Sequence, residues 1–317
     1  MTTTVVKSFG VRLRAAVAVR GPLCVGIDPH AALLADWGRS HPGHGDTVSG
    51  LERFSLTVVE ALADRVAIVK PQSAFFERFG SRGVAVLERV LAACRDAGVL
   101  TLLDVKRGDI GSTAAAYAAA YLDPASPLAA DAITASPYLG FGSLQPMLDA
   151  ARAAGAGVFV LALTSNPEGS EVQRAIGADG RTVAARVFAG VRAANTAEAG
   201  AAASDLPDTL AGAPTDILAG ARAVAEVGGW GSTGVVVGAT VRDPGPELIG
   251  IGGPVLAPGV GAQGATMADL PRVFGVALPY VLPAVSRDVL RHGPDPAALR
   301  AAVARLQDEA ATSNDYR

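Results

Sequence analysis

Lysine occupies only positions 7, 70 and 106 of this chain, and the other 24 of its 27 basic residues are arginine. Lys70 ends the apolar run 66–69, and Lys106 sits in Asp104-Val105-Lys106-Arg107-Gly108-Asp109, directly after the apolar run 99–103. An ammonium is a compact charge that can release a proton when its surroundings help, whereas a guanidinium essentially cannot. A chain that otherwise prefers arginine therefore has reason to keep lysine where a proton is to be moved. Asp104 and Lys106 are two apart at a strand end and can point to the same side. Asp109 follows a glycine-containing turn and would cap or precede the next helix. A purely structural salt-bridge network would use the same groups. The choice of Lys over Arg, and the cost of gathering four charges at a partly buried rim, favour a proton-transfer site.

Other polar residues close the remaining apolar runs: Asp28, Ser136, Ser165, Thr240, the segment Pro258-Gly259-Val260-Gly261, and Ser286-Arg287. Taken singly, Asp28 or Thr240 would be read as a helix cap. Together they bring acids, amines and glycines to one rim. The segment from Ala257 to Gly264 offers closely spaced backbone N–H groups and the Gln263 amide, with Arg287 at the next strand end. In barrels the loops after strands seven and eight commonly hold phosphate.

The elements that must position these groups follow from the hydropathy pattern. Short apolar runs at 23–27, 66–69, 99–103, 132–135, 157–163, 234–237, 255–257 and 281–285 are continuous, as in strands buried on both faces of a parallel sheet. Amphipathic stretches at 51–64, 82–97, 113–122, 143–154, 182–198, 216–227, 267–274 and 296–310 alternate with them. Eight strand–helix pairs predict a single (β/α)8 TIM barrel over residues 1–317. A doubly wound sheet is the main competitor, but no G-x-G-x-x-G follows the first strand. The long interval between strands 5 and 6 predicts an insertion, with 195–214, rich in Ala, Gly, Thr, Pro and Asp, as a flexible surface loop.

Bulk properties narrow the function. A net charge of −3 gives no sign of nucleic acid or an anionic membrane as partner. Cys24 and Cys94 lie in or beside apolar segments and read as buried free thiols, which suits the cytoplasm. The acid-free, basic N-terminus superficially resembles a transit peptide, but the first strand at about Leu23 leaves little to remove. The uncharged stretch 248–268 is long enough to span a bilayer, yet its six Gly and two Pro suit a strand between tight loops; no membrane segment is expected. The four His, at 30, 41, 44 and 292, are too scattered to predict a metal site, and His41 and His44 fall in a polar stretch.

The run Asp104-x-Lys106-x-x-Asp109-Ile110-x-x-Thr113 resembles the signature of the orotidine 5′-phosphate decarboxylase family. Asp28, Lys70, Ser165-Asn166-Pro167, the loop from Ala257 to Gly264 and Arg287 match in family order, from about residue 23 to 290. The segment from Lys70 to Glu77 is similar to a longer bacterial subgroup. Asp-x-Lys-x-x-Asp is shared with related barrels; its combination with Lys70 and the Gly-rich loop is more specific. The resemblance implies conversion of orotidine 5′-phosphate to uridine 5′-phosphate and CO2, the last step of de novo pyrimidine biosynthesis, without cofactor or metal. It implies that Lys106 donates a proton to C6 and that Asp104 sits against the substrate carboxylate. Lys70 and Asp28 would hold ribose hydroxyls, Ser165 the pyrimidine, and Gln263 and Arg287 the phosphate, with Pro258 in the binding loop. Asp109, Ile110 and Thr113 would reach a neighbouring subunit's site, so a homodimer with shared sites is implied. Ser286-Arg287 departs from the family's common Gly-Arg.

Three rivals remain at the level of sequence. A magnesium-dependent sugar-phosphate decarboxylase or aldolase would need an acid where Lys70 stands. A Schiff-base aldolase would need Lys106 as a nucleophile, a role ill suited to a lysine flanked by acids. A non-catalytic nucleotide-binding barrel would leave Asp104, Lys106 and Asp109 unexplained.

Overall fold

The computed structural model describes residues 7–204 and 229–313. Eight strands close into a parallel barrel in chain order: β1 (Cys24–Ile27), β2 (Ile68–Pro71), β3 (Leu100–Arg107), β4 (Ala132–Ala135), β5 (Gly157–Leu163), β6 (Thr233–Val237), β7 (Val255–Pro258) and β8 (Val281–Val285). β8 returns to β1 through Ala284 opposite Cys24 and Val285 opposite Val25. Each apolar run read from the sequence is a strand, with ends shifted by a few residues at most.

The pleat decides which residues face inward. Cys24, Ile68, Leu102, Ala132, Phe159, Val236, Leu256 and Leu282 pack together in one buried cluster. Their neighbours Val25, Val69, Leu103, Ile133, Val158, Val160, Val235 and Val237 belong to a larger cluster that includes the surrounding helices. Two residues beyond the inward Ile68, Leu102 and Ala132 stand Lys70, Asp104 and Thr134. Polar side chains thus take over the inner face where the strands approach the barrel mouth.

The sequence pattern missed helix α1 (Phe9–Arg20), which plugs the opposite end. Phe9 and Leu13 are fully buried in the inner cluster, and the Phe9 ring stands edge-on to Phe159 with centroids 6.0 Å apart. A Cβ on Gly10 would fall 1.8 Å from the Trp230 carbonyl oxygen, so only glycine lets the helix seat. Arg12 pairs with Asp131 and donates to the Gly155 carbonyl at 2.9 Å. This N-terminal basic residue therefore fastens the plug to the barrel floor.

The outer helices are α2 (Ala31–Ser40), α3 (Val48–Leu62), α4 (Ser73–Glu77), α5 (Ser81–Asp96), α6 (Gly111–Leu122), α7 (Gln145–Ala154), α8 (Gly169–Gln173), α9 (Val183–Ser204), α10 (Leu270–Phe274), α11 (Arg287–Leu290) and α12 (Pro296–Thr312). The short α4, α8 and α11, and α2 beside the first strand, were not legible as separate elements. The loop expected from Asn195 begins instead as helix, because α9 continues to Ser204. The buried Asn195 amide donates to the Thr233 and Ile251 carbonyls, each at 2.9 Å, and ties the helix to β6. The rest of that expected insertion, 205–214, and the expected helix 216–227 lie outside the described residues. Cys24 and Cys94 are free and buried. Burial pushes both thiols up to about 12, with the carboxylates Asp28 and Asp104 adding to the effect at Cys24 against the opposing Lys70. No helix among the described residues is long and apolar enough to cross a membrane.

Emptying the plug should open a cavity at the barrel floor. Phe9→Ala is expected to lower the unfolding free energy by about 3–5 kcal/mol, measured by guanidinium titration.

Candidate active site

Asp104 is the centre of the site. Its Oδ1 accepts from Lys106 Nζ at 2.6 Å and from the Thr134 hydroxyl at 2.8 Å, and its Oδ2 accepts from Lys70 Nζ at 3.0 Å. Lys70 also donates to Gln72 Oε1 at 3.3 Å and lies 4.0 Å from Asp28 Oδ1. Burial alone would raise the Asp104 pKa, but the ammonium groups of Lys70 and Lys106 outweigh it and hold the carboxyl well below the usual range. Burial likewise opposes charge on Lys70, and Asp104 and Asp28 reverse the sign, raising its pKa. Both groups are therefore ionised across neutral pH.

Local sequence makes room for this array. Lys70 is paired in register with Gly26 of β1. A Cβ there would come within 2.9 Å of both Asp28 Oδ2 and Ser286 Cβ. Lys106 reaches Asp104 by a route that simple alternation did not predict. Between the pairs Leu103–Ile133 and Arg107–Ala135 the β3–β4 register shifts. Lys106 takes φ 46°, the only positive φ at a non-glycine position among the described residues. Its side chain stays 46% exposed while that of Asp104 is 9% exposed. One ammonium is thus nearly buried beside the carboxylate, and the other stands at the open side.

Beside the array lies a cavity of about 320 Å³, lined by Asp28, Lys70, Pro258, Gln263 and Arg287 among others. Five of the expected site residues therefore meet on one wall, with Asp104 and Lys106 joined to them through Lys70. Gly259 and Gly261, at φ 107° and 77°, curl the loop after β7 back on itself, and Gly261 N–H donates to the Ala265 carbonyl at 2.7 Å. At Gly261 the left-handed φ favours glycine, and a Cβ there would also displace the Asp288 carboxylate, whose Oδ2 would lie 1.8 Å away. Asp28 Oδ1 and Ser286 Oγ are buried without a hydrogen-bond partner among the described residues. Both lie on residues that line the cavity, where a bound polar group could meet them.

Four expected residues stand apart. Ser165, after β5, lines a neighbouring cleft of about 400 Å³ with Thr240 and Arg242 rather than the main cavity. Asp109 accepts from its own neighbour, the Ile110 N–H, at 2.8 Å. Ile110 is 62% exposed, and Thr113 is exposed in the first turn of α6. No ion pair joins Asp109 to Lys106 within the chain among the described residues. The reading from sequence also passed over groups that complete the mouth. Gln72 touches Lys70, and His30 and Phe75 pack ring against ring with centroids 4.2 Å apart. Thr134 was the one most open to discovery, since it follows the inward Ala132 by two. Among the described residues no cluster of three or more His, Cys, Asp or Glu is placed to hold a metal ion.

Residues 21–302 match the model of a family described as orotidine 5′-phosphate decarboxylase / HUMPS. The chain belongs to that family. It is 57% identical over 305 residues to an orotidine 5′-phosphate decarboxylase of Streptomyces coelicolor, covering 96% of this chain and 98% of the relative. It is 60% identical over 300 residues to one of Salinispora arenicola, covering 95% and 96%. A crystal structure from Streptomyces avermitilis, described as a candidate orotidine 5′-phosphate decarboxylase, superposes with a TM-score of 0.83 at 54% identity, covering 99% and 98%. In this member Lys70, Asp104 and Lys106 meet at the mouth of a closed barrel.

The array's electrostatics predict a stability effect. Lys70→Met would leave the buried Asp104 and the half-buried Asp28 short of their counter-charge, at a cost of about 3–5 kcal/mol. Asp104 has a depressed folded pKa, so its contribution is present above its unfolded pKa of about 4 and lost as pH falls. The stability gap between wild type and variant should hold from neutral pH to about pH 5 and narrow below about pH 4, as read by thermal melts across pH.

Proposed function

We propose that the chain converts orotidine 5′-phosphate to uridine 5′-phosphate and CO2, the last step of de novo pyrimidine biosynthesis. The observation that carries this reading is Asp104 fixed between Lys70 and Lys106, beside a cavity with Arg287 and Gln263 on its wall. Gln263 and Arg287 grip the phosphate, and Asp28 and Lys70 take ribose hydroxyls. The Asp104 carboxylate, which stays ionised, then lies against the substrate carboxylate. Their repulsion weakens as the C6–carboxylate bond breaks and CO2 departs, so it favours the transition state over the bound substrate. The electron pair left on C6 has no ring position to delocalise it. It takes a proton from Lys106 Nζ, already aimed by its bond to Asp104, and preorganised charge of this kind stabilises the developing anion. Barriers of this size need on the order of 20 kcal/mol of stabilisation, so remote phosphate binding contributes alongside the charges.

The magnesium-dependent rival is disfavoured, because the Lys70 ammonium stands where that chemistry would want an acid. Ser165 reaches the pyrimidine only if the cleft it lines joins the main cavity when substrate binds. We further propose a homodimer, in which Asp109, Ile110 and Thr113 complete the site of a second copy. Lys106 has its outer side open, and the exposed apolar residues Ile110, Tyr138 and Leu139 lie on the loops after β3 and β4. The two buried free thiols suit a reducing compartment, and we place the protein in the cytoplasm.

Ultraviolet assay of decarboxylation in excess chelator should show full wild-type turnover. Lys106→Ala should lose at least about 10³-fold in kcat/KM, as expected for loss of a proton donor and its charge. Chelator-sensitive activity, or an unimpaired variant, would reject this reading. Shared sites predict complementation. Lys106→Ala and Asp109→Ala homodimers should each be impaired, and subunit exchange between them should restore about a quarter of wild-type activity, because half the dimers are mixed and one of their two sites is intact. No recovery on mixing would place Asp109 outside the site.

A further inference from the structure

We propose that Thr134 is a positioning residue for the proton transfer: its single hydroxyl holds the Lys106 backbone in the left-handed conformation and fixes the Asp104 carboxylate against the lysine side chain. The proposal rests on Lys106 acting as the proton donor. Across the β3–β4 register shift, the three residues Asp104, Val105 and Lys106 face Thr134 alone, because Leu103 pairs with Ile133 and Arg107 with Ala135. The regular ladder cannot serve every backbone group there, and a buried N–H without a partner is costly. Thr134 Oγ1 accepts from the Lys106 N–H at 2.9 Å and donates to Asp104 Oδ1 at 2.8 Å. A hydroxyl has one proton to give, so its donor is committed to the carboxylate while a lone pair takes the amide. The ladder resumes immediately beyond, where Ser136 N–H donates to the Arg107 carbonyl at 2.8 Å.

This one side chain therefore bridges both ends of the Asp104–Lys106 contact, the carboxylate and the backbone that carries the amine. A positive φ is unfavourable for any residue with a Cβ, and Lys106 is held there at φ 46°. Thr134 is itself 1% exposed and is not among the residues lining the main cavity. It acts through Lys106 and Asp104, not on the substrate.

The test compares Thr134→Val, which keeps the volume and removes the hydroxyl, with Thr134→Ser, which keeps the hydroxyl. The Val variant should lose about 10²-fold in kcat, the effect of displacing a reacting group by about 1 Å. Its KM, and its calorimetric affinity for uridine 5′-phosphate, should stay within about threefold, since the phosphate and ribose contacts lie elsewhere. The Ser variant should recover kcat to within about tenfold of wild type. A purely structural threonine would instead lower the melting temperature of both variants and leave kcat per folded molecule unchanged. The proposal is overturned by a Val variant within about threefold of wild-type kcat, or by a Ser variant as impaired as Val. If the Val variant does not fold, Thr134→Cys, whose thiol is a weak donor, takes its place with the same expected loss. Wild-type protein inert towards orotidine 5′-phosphate would reject the decarboxylase reading instead. In that event a crystal structure of the Val variant decides the clamp: φ of residue 106 turning negative supports it, and φ staying positive overturns it.

Discussion

A carboxylate buried between two ammonium groups is the constraint around which the barrel mouth is arranged. Removing either lysine would leave charge in a place that water cannot reach well, and ions in such places are stable only when geometry is tight. The surrounding structure supplies that geometry. Gly26 clears space beside Lys70, Gln72 takes a further Lys70 hydrogen, and Thr134 takes up the remaining direction of Asp104. Gly26 and Thr134 each sit one strand away from the group they serve, and Gln72 follows Lys70 along its own strand, so the array depends on pairing across the sheet.

The same constraint distorts the backbone. Residues 104–106 are fitted opposite a single residue of β4, and Lys106 is driven to positive φ. Backbone strain of this kind persists where the surroundings over-determine it, and it gathers at functional sites. Rigidity below the mouth is therefore part of the site. The α1 plug, locked by Phe9, Gly10 and Arg12, fills the barrel floor, leaving the inner cluster apolar up to the level where Lys70 and Asp104 begin.

Lys70 and Lys106 look equivalent as letters but serve different ends. The first is nearly buried at the cavity wall and raised in pKa by two acids, which suits a fixed counter-charge. The second is half open, with one acid on its inner side. Under the proposed function that open side faces substrate and a second copy's Asp109. On the same proposal a single chain would offer only half of the charge alternation around the proton donor, and a second copy would supply the rest.

Eight continuous apolar runs, hence the barrel, and the gathering of Asp28, Lys70, Asp104, Lys106, Pro258, Gln263 and Arg287 at one rim were legible in the order of residues alone. These follow from local hydropathy and from the rule that strand ends share one side of a barrel. Helix α1 was hidden because its burial comes from the barrel interior, not from an amphipathic stripe of its own. The helical continuation beyond Glu198 to Ser204 was hidden because residues 199–204, all Ala, Gly and Ser, carry no large apolar side chain to mark a buried face, and the value of Asn195 lies in the distant carbonyls of Thr233 and Ile251. How Lys106 meets Asp104 was settled by the folded sheet. An ideal pleat would set residues 104 and 106 on one face by alternation, whereas the chain uses a register shift against β4 and a threonine on that neighbouring strand. Contacts of that kind depend on pairing across the sheet, which no single stretch of residues encodes.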